Sequence, residues 1–380
     1  MTNFKIGIFV ICFFFLMTAC DLASVNNDEK KPSNNTKVNS IKSAKYVVGF
    51  SNIEGPGSEF SFYSETGKKL DSTTSKHGIN LIMSTQNKNN LYFNSNRNND
   101  FFKVNLKSGE IKESNEKSKS SSTEDEGSFF IETSGDYVFH DINVGYTEKG
   151  YESEFVYWKE EQPKNKTHII LNGMINSARV IKDKFYILTN NDDEYLSIYI
   201  VDPQKNKIIK EKKIPNHGVF FIEGNEKDAF QILDNKTLAL AVADNINQQD
   251  NSRVLLINTS DLKVKKEIII EDKDFTPLQI KVMGNQVIVP SNNGKTIIYD
   301  KDFKQKKSFK FDAGHKNILL QNIQFSDDQM HVLTKRYTKT KNDVIGNITT
   351  YNLQTGKRLS DVEIKSNKDW EYARFELLKN

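Results

Sequence analysis

Short apolar-rich runs alternate with polar turns along most of this chain, and six of the turns recur at nearly even spacing. They are Lys88-Asn89, Ser134-Gly135, Lys182-Asp183, Asp234-Asn235, Gly284-Asn285 and Asp327-Asp328. Each joins two apolar runs, as in ARVI-KD-KFYILT and FQIL-DN-KTLALA. Successive turns lie 46, 48, 52, 50 and 43 residues apart. A fixed period in this range marks a repeat architecture whose unit is one small antiparallel sheet.

A second repeated element lies between the turns: an alternating strand, a polar turn, then another strand. Seven copies occur, at 60–70, 101–112, 155–170, 197–209, 254–266, 296–307 and 348–359. In three of them Gly67, Gly109 and Gly356 fall at the same offset, where a tight turn needs a residue tolerant of positive φ. Within a copy the alternation has period two: Val254, Leu256 and Asn258 point one way, Leu255 and Ile257 the other. No sustained 3.6-residue stripe competes with it.

The unit therefore reads strand A, short turn, strand B, loop, strand C, short turn, strand D. Seven such units predict an all-β fold, a seven-bladed β-propeller of four-stranded antiparallel blades. The ends supply an internal check, because there are seven C–D elements and only six A–B turns. The first unit starts directly with strand B at residues 45–50, and a matching strand A lies at the far end, in Ala373-Arg374-Phe375-Glu376-Leu377-Leu378. That segment compares with Ser177-Ala178-Arg179-Val180-Ile181. Both termini would then build the first blade, closing the ring and leaving no open edge there. A right-handed β-solenoid is the runner-up, although its periods are shorter. Two β-sandwiches are the other alternative, and they do not predict the end-matching strand.

The front of the chain differs in character. Lys5 precedes a twelve-residue apolar stretch, Ile6 to Met17, which is followed by Thr18-Ala19-Cys20. Twelve residues are too few to span a bilayer as a helix but suit the core of a signal peptide. Small residues before a cysteine resemble the bacterial lipobox, with Met17 standing where that motif usually has Leu. The resemblance implies cleavage ahead of Cys20 and lipidation of its sulfur; the plainer reading is an ordinary secretory signal in which Cys20 is incidental. The predicted division is a signal peptide at 1–19, the lipidated Cys20 with a flexible polar tether at 20–43, and the propeller at 44–380.

Two cysteines occur, Cys12 in the apolar core of the signal and Cys20. A chain cleaved at Cys20 would have no thiol or disulfide left for redox or metal work. The expected address is the extracytoplasmic face of a cell membrane, and the Lys- and Asn-heavy composition suits a low-GC Gram-positive bacterium. A formal charge of +3, which includes Lys5, gives no concentrated basic face for nucleic acid.

One stretch, Gly314-His315-Lys316-Asn317-Ile318 followed by Ile323-Gln324-Phe325-Ser326, resembles the opening of a WD-repeat. No Trp-Asp closes any strand C. The chain is also similar to the extracellular propellers of the YVTN and pyrroloquinoline-quinone-like groups, without their signature residues. These resemblances cover roughly residues 44–380 and imply the fold alone.

Candidate chemistry is thin. Of six histidines, His77, His217 and His315 lie in D–A connections beside glycines and could converge on one rim of the channel. Three imidazoles there could hold a metal, but a His beside Gly in such a connection commonly bonds the backbone. Acid pairs at Asp192-Asp193, Asp272/Asp274, Asp300/Asp302 and Asp327-Asp328 all fall in turns, where Asp is favoured for local hydrogen bonding. No nucleophile elbow, phosphate-cradling glycine loop or paired-His zinc motif occurs.

Loop lengths say more. The longer connections are D–A (114–127, 214–228) and B–C (141–153, 244–251, 335–346), and these two classes share one face of a propeller. Insertions gathered on one face of a repeat array mark its working surface. Tyr146 and Tyr151 in the 141–153 loop, and Arg336 and Tyr337 in the 335–346 loop, are of the types favoured as binding anchors. Aromatics packed on a neighbouring blade are the plainer reading.

The sequence thus leads to the expectation of a non-catalytic, membrane-anchored binding or scaffolding propeller for an envelope protein, peptide or glycan, without a cofactor. The barrel-assembly lipoprotein of Gram-negative outer membranes illustrates that role by analogy only. The alternative is a propeller hydrolase or lyase of the lactonase kind, with a metal at the channel mouth.

Overall fold

The computed structural model describes residues 36–37 and 41–378, apart from 52–56, 76–82, 96–99, 116–117, 120–126, 192–194, 216–225, 245–250, 316–317, 337–343 and 367–371. Seven antiparallel sheets, five of four strands and two of five, are arranged as the blades of a ring. The two-residue turns explain the tight A–B hairpins. In blade 4, Lys182 (φ 47°) and Asp183 (φ 61°) are both left-handed, which is the geometry whose twist matches the strands it joins. The C–D turns repeat a second device: Gly67, Gly109 and Gly356 have φ of 78°, 69° and 69° as their spacing predicted, and Asn206, Leu262 and Phe303 take positive φ in other blades.

Within each blade the first strand of the unit is innermost. The inner strands are Ser84–Gln86 in blade 2, Ile131–Ser134 in blade 3, Met174–Ile181 in blade 4, Phe230–Asp234 in blade 5, Lys281–Met283 in blade 6 and Ile318–Ser326 in blade 7. Blade 1 is completed by the end of the chain. Its inner strand, Tyr372–Leu377, pairs antiparallel with Tyr46–Ser51, placing Phe375 opposite Val48 and Leu377 opposite Tyr46. The closure predicted from residues 373–378 is the observed one.

The apolar core lies in layers between adjacent blades. Val47, Phe60 and Phe62 of blade 1 meet Leu91, Phe93 and Phe102 of blade 2, with the Phe60 ring centroid 4.7 Å from that of Phe93. Phe139 and Phe155 of blade 3 meet Phe185 of blade 4, at 5.0 Å from Phe139. Each such side chain contributes about 1.5–3 kcal/mol by leaving water, so a ring of seven small interfaces replaces one large core. Two short strands are added to the basic plan. Thr36–Lys37 pairs with the outer strand of blade 2, and Ile41, just after it, is buried in the layer between blades 1 and 2. Gly314–His315 pairs with Leu319 and Ile318 ahead of the inner strand of blade 7. Among the described residues no helix is long and apolar enough to cross a membrane.

Candidate functional site at the channel mouth

Inner strands of all seven blades surround one central cavity of about 340 Å³. An inner strand has a neighbouring strand on one side only, so its lateral hydrogen bonds must come from the next blade. Polar side chains supply them. Gln279 of blade 6 donates to the Ile323 carbonyl of blade 7 at 3.2 Å, and Ser134 of blade 3 accepts the Val180 N–H of blade 4 at 3.0 Å. Thr85 and Thr133 of blades 2 and 3 meet hydroxyl to hydroxyl at 3.0 Å.

Part of this lateral bonding is ionic. Arg179 of blade 4 donates to the Glu132 carboxylate of blade 3 and, at 2.5 Å, to the carbonyl of Lys227, just before the inner strand of blade 5. The second oxygen of Glu132 accepts the Ala178 N–H at 3.0 Å. Ser177 Oγ stands 3.3 Å from that carboxylate and 2.9 Å from the Lys227 carbonyl, so its single proton serves one of them at a time. The Lys227 ammonium donates across the mouth to the Ser84 carbonyl of blade 2. Ser84 Oγ donates to Glu376 at 2.7 Å and accepts from Arg374 Nε at 3.1 Å, both on the C-terminal strand in blade 1. Asp228, beside Lys227, lies 4.0 Å from Arg179 and is 32 % exposed, the most accessible carboxylate of the group.

Burial governs the electrostatics. Desolvation pushes the Glu132 carboxyl up, against the pull of Arg179 and Lys227. Burial lowers Lys227, against the pull of Asp228, Glu376 and Glu132. The cluster thus ties blades 1 to 5 together by charge-assisted hydrogen bonds. Its members carry no sequence motif. The available signal was a charge inside an otherwise apolar inner strand, visible in the matching arginines of Ala178-Arg179-Val180 and Ala373-Arg374-Phe375.

The longest hairpin among the described residues lies in blade 3. Residues 141–153, expected as a loop, are a correction: strands Tyr137–Thr147 and Gly150–Lys159 continue in register to a turn at Glu148-Lys149. The reason is cross-strand pairing, Asn143 with Ser153 and Gly145 with Glu152, around a bulge that accommodates Val144. Tyr146 faces Tyr151 near the tip, edge to face at 5.3 Å, and Tyr146 is 74 % exposed. The strand Thr167–Asn172 beside it pairs as far as Glu152, the next N–H, of Gly173, donates to the Tyr151 carbonyl at 2.6 Å, and the tip beyond overhangs its own blade.

Arg336 ends the second strand of blade 7, half-buried, where it donates to Asn347 at 3.3 Å; it is on a different blade from the tyrosine pair. His315 lies by backbone in the two-residue strand before the inner strand of blade 7. His77, His217, Tyr337 and Cys20 fall outside the described residues. Among the described residues no group of three or more His, Cys, Asp or Glu side chains is placed to hold a metal.

No family model matches the sequence, and no curated protein is similar to it in sequence. Solved structures share the fold. The chain is similar to dihydro-heme d1 dehydrogenase NirN in complex with DHE, at 9 % identity and a TM-score of 0.53, over 84 % of this chain and 64 % of that one. This chain thus spans less than two thirds of that protein's length. Hydrazine synthase of Kuenenia stuttgartiensis matches at 10 % identity and a TM-score of 0.52, over 88 % of this chain and 99 % of that one. The β-propeller domain of Cps50 (Swd1) from Myceliophteria thermophila matches at 9 % identity and 0.50, over 74 % and 85 %. At such identities the likeness shows the propeller fold alone.

Proposed function

We propose that this protein is a lipid-anchored binding or scaffolding propeller on the extracytoplasmic face of a bacterial cell membrane, holding an envelope protein, peptide or glycan by the face that carries its D–A and B–C connections. The observation that carries the reading is the overhanging hairpin of blade 3, which presents Tyr146 to solvent braced edge-on by Tyr151. A tyrosine held by a rigid hairpin offers a large amphipathic contact area with little rotamer entropy to lose on binding. The apolar stretch ahead of Cys20 and the polar segment after it support the anchor.

The test joins two variants. Replacing residues 145–151 by a tight Asn-Gly turn is expected to abolish capture of the envelope partner in crosslinked membranes while the melting temperature stays close to the parent's. Cys20→Ala is expected to move the protein from the membrane to the soluble fraction. Capture that survives the hairpin replacement would overturn the binding face. A stoichiometric divalent metal in the purified protein, lost on replacing His77 and His315, would favour the hydrolase or lyase alternative instead.

A further inference from the structure

We propose that the outer rim of blades 4, 5 and 6 is a docking surface for a lipid bilayer rich in anionic headgroups. This goes beyond the partner-binding reading and uses neither the hairpin nor the acylation of Cys20. The chain's net charge is small, but the ring distributes it unevenly. The outer strands are Lys207–Pro215 in blade 4, Val264–Ile270 in blade 5 and Gln305–Lys310 in blade 6. Taken with the turns that lead into them (203–206, 259–263 and 301–304), they hold thirteen lysines against four acids. The corresponding segments of blades 1, 2 and 3 (64–75, 106–115 and 160–172) each hold two lysines against two acids. Lysines on an edge strand also keep sheets from pairing with one another. That need is the same in every blade, so it does not explain their gathering on three neighbours.

Three of these lysines make the same reach from one blade to the next. Lys210 of blade 4 donates to the Ser260 carbonyl of blade 5 at 3.4 Å, and Lys266 of blade 5 to the Asp302 carbonyl of blade 6 at 3.4 Å. Lys307 of blade 6 donates to the Gln354 carbonyl of blade 7 at 2.9 Å. The outer strands are thereby joined into one continuous surface. A carbonyl fixes an ammonium without cancelling its charge, and each ammonium has three N–H groups to offer. At the channel mouth, by contrast, Arg179 faces a carboxylate; on the rim Lys306 does so, with Asp300 at 2.7 Å. Between blades 5 and 6 the surface opens into a groove of about 400 Å³, where Lys265, Lys266 and Lys301 surround Leu256 and Val282, with Asp234 as its carboxylate. Three cations over an apolar floor suit an anionic headgroup. Aliphatic side chains also stand among the lysines: Ile209 of blade 4 is 50 % exposed and Ile269 of blade 5 is 61 % exposed. They gain nothing from a soluble polyanion, but they leave water when the rim settles among lipid headgroups. Lysines and aliphatics together select an anionic bilayer.

Vesicle flotation tests this, using the full chain with Cys20→Ala so that no acyl chain contributes. Vesicles of phosphatidylcholine alone are compared with vesicles that also contain phosphatidylglycerol, which cancels any attraction common to both. Binding is expected to be about tenfold tighter to the anionic vesicles and to weaken with added salt. Lys212→Glu, Lys263→Glu and Lys301→Glu combined, one exposed lysine from each blade, are expected to lower it about tenfold. Lys212→Gln, Lys263→Gln and Lys301→Gln take their place if the first set fails to fold. Lys68→Glu, Lys107→Glu and Lys164→Glu make the same charge change on blades 1 to 3 and should have little effect. Ile209→Ser with Ile269→Ser should weaken vesicle binding and leave binding to soluble polyphosphate unchanged. Equal binding to the two kinds of vesicle, or equal losses from the two lysine sets, would overturn the inference. Vesicle binding indifferent to the isoleucine pair would overturn it too, in favour of a soluble polyanion. Because every sample lacks Cys20, failure of the anchor reading leaves this result standing, and the hairpin experiment is separate from both.

Discussion

The side-chain carbonyl of Gln324 accepts the backbone N–H of Leu377 at 2.6 Å. Its amide nitrogen donates to the Phe375 carbonyl at 3.1 Å and to Glu376 at 2.9 Å. One side chain on blade 7 thus ties down the strand that completes blade 1, and the two ends of the chain are locked into one closed ring. Gln324→Ala removes this partner from the Leu377 N–H, while the Phe375 carbonyl keeps the Asn322 amide at 2.7 Å. The expected cost is about 1–3 kcal/mol, read from the midpoint of chemical denaturation. Deleting residues 373–380 goes further, removing Phe375, Leu377 and Leu378 from the layers on either side of blade 1. It should cost several times one buried apolar side chain, each about 1.5–3 kcal/mol. Full stability after that deletion would refute closure by the C-terminal strand.

Glu132 and Arg179 form a buried pair whose halves come from neighbouring blades. Glu132→Leu strands a buried guanidinium and is expected to cost about 3–5 kcal/mol. The double change Glu132→Leu with Arg179→Met should recover much of that loss, because no uncompensated charge remains. A double-mutant cycle by urea denaturation checks it; strict additivity of the two changes would rule out the coupling.

His331 lies buried on blade 7 with both ring nitrogens engaged, Nε2 at 2.9 Å from Ser326 Oγ and Nδ1 at 3.1 Å from Thr350 Oγ1. Burial first, and then Lys45, lowers its pKa from 6.5 to about 4. A base whose folded pKa is depressed contributes stability that is fully present above its unfolded pKa and is lost as pH falls toward the folded one. The window is therefore pH 6.5 down to about 4, with a loss of about 3 kcal/mol across it. His140, lowered to about 3 by burial, acts in the same sense. Asp141, raised to about 7 by burial, acts in the opposite one, adding stability as pH falls through 7. Comparing denaturation midpoints of the parent and His331→Gln at pH 7 and pH 4 isolates one group. A parallel pair of pH profiles would show that His331 is not the source.

Gly356 holds φ at +69° in the C–D turn of blade 7, and a Cβ there would meet Phe309 of blade 6 at 2.5 Å. Gly356→Ala combines backbone strain with a contact between blades, and should destabilise by about 1–3 kcal/mol. Gly284→Ala is the informative control: its φ is +56°, but no atom lies within 4 Å of the added carbon. It should cost less; equal costs would mean that the approach of blade 6 to this turn contributes nothing.

The sequence by itself determined the repeat, the strand order within a blade and the matching of the two ends. These are carried by local rules: alternation of period two along a strand, turn residues able to take positive φ, and an inner strand of one composition found twice, at 177–181 and 373–378. From the lengths of connections it also supplied the expectation that the face of the D–A and B–C loops is the working one. It misjudged residues 141–153, whose polar and glycine-rich composition looks like a loop. Its hydrogen bonds run across the hairpin, Tyr146 opposite Tyr151, and pairing of that kind leaves no mark in composition.

The site at the mouth was decided by tertiary structure alone. Ser84 and Glu376, bonded at 2.7 Å, are 292 residues apart in the chain, and Lys227 reaches a carbonyl 143 residues away. An arginine within a mostly apolar inner strand marks a buried charge, but its partner is not set until ring closure brings seven inner strands to one axis. Only that closure gives each inner strand a neighbour with which its lateral polar groups must pair, and pairing away from water is what turns scattered charges into a single network.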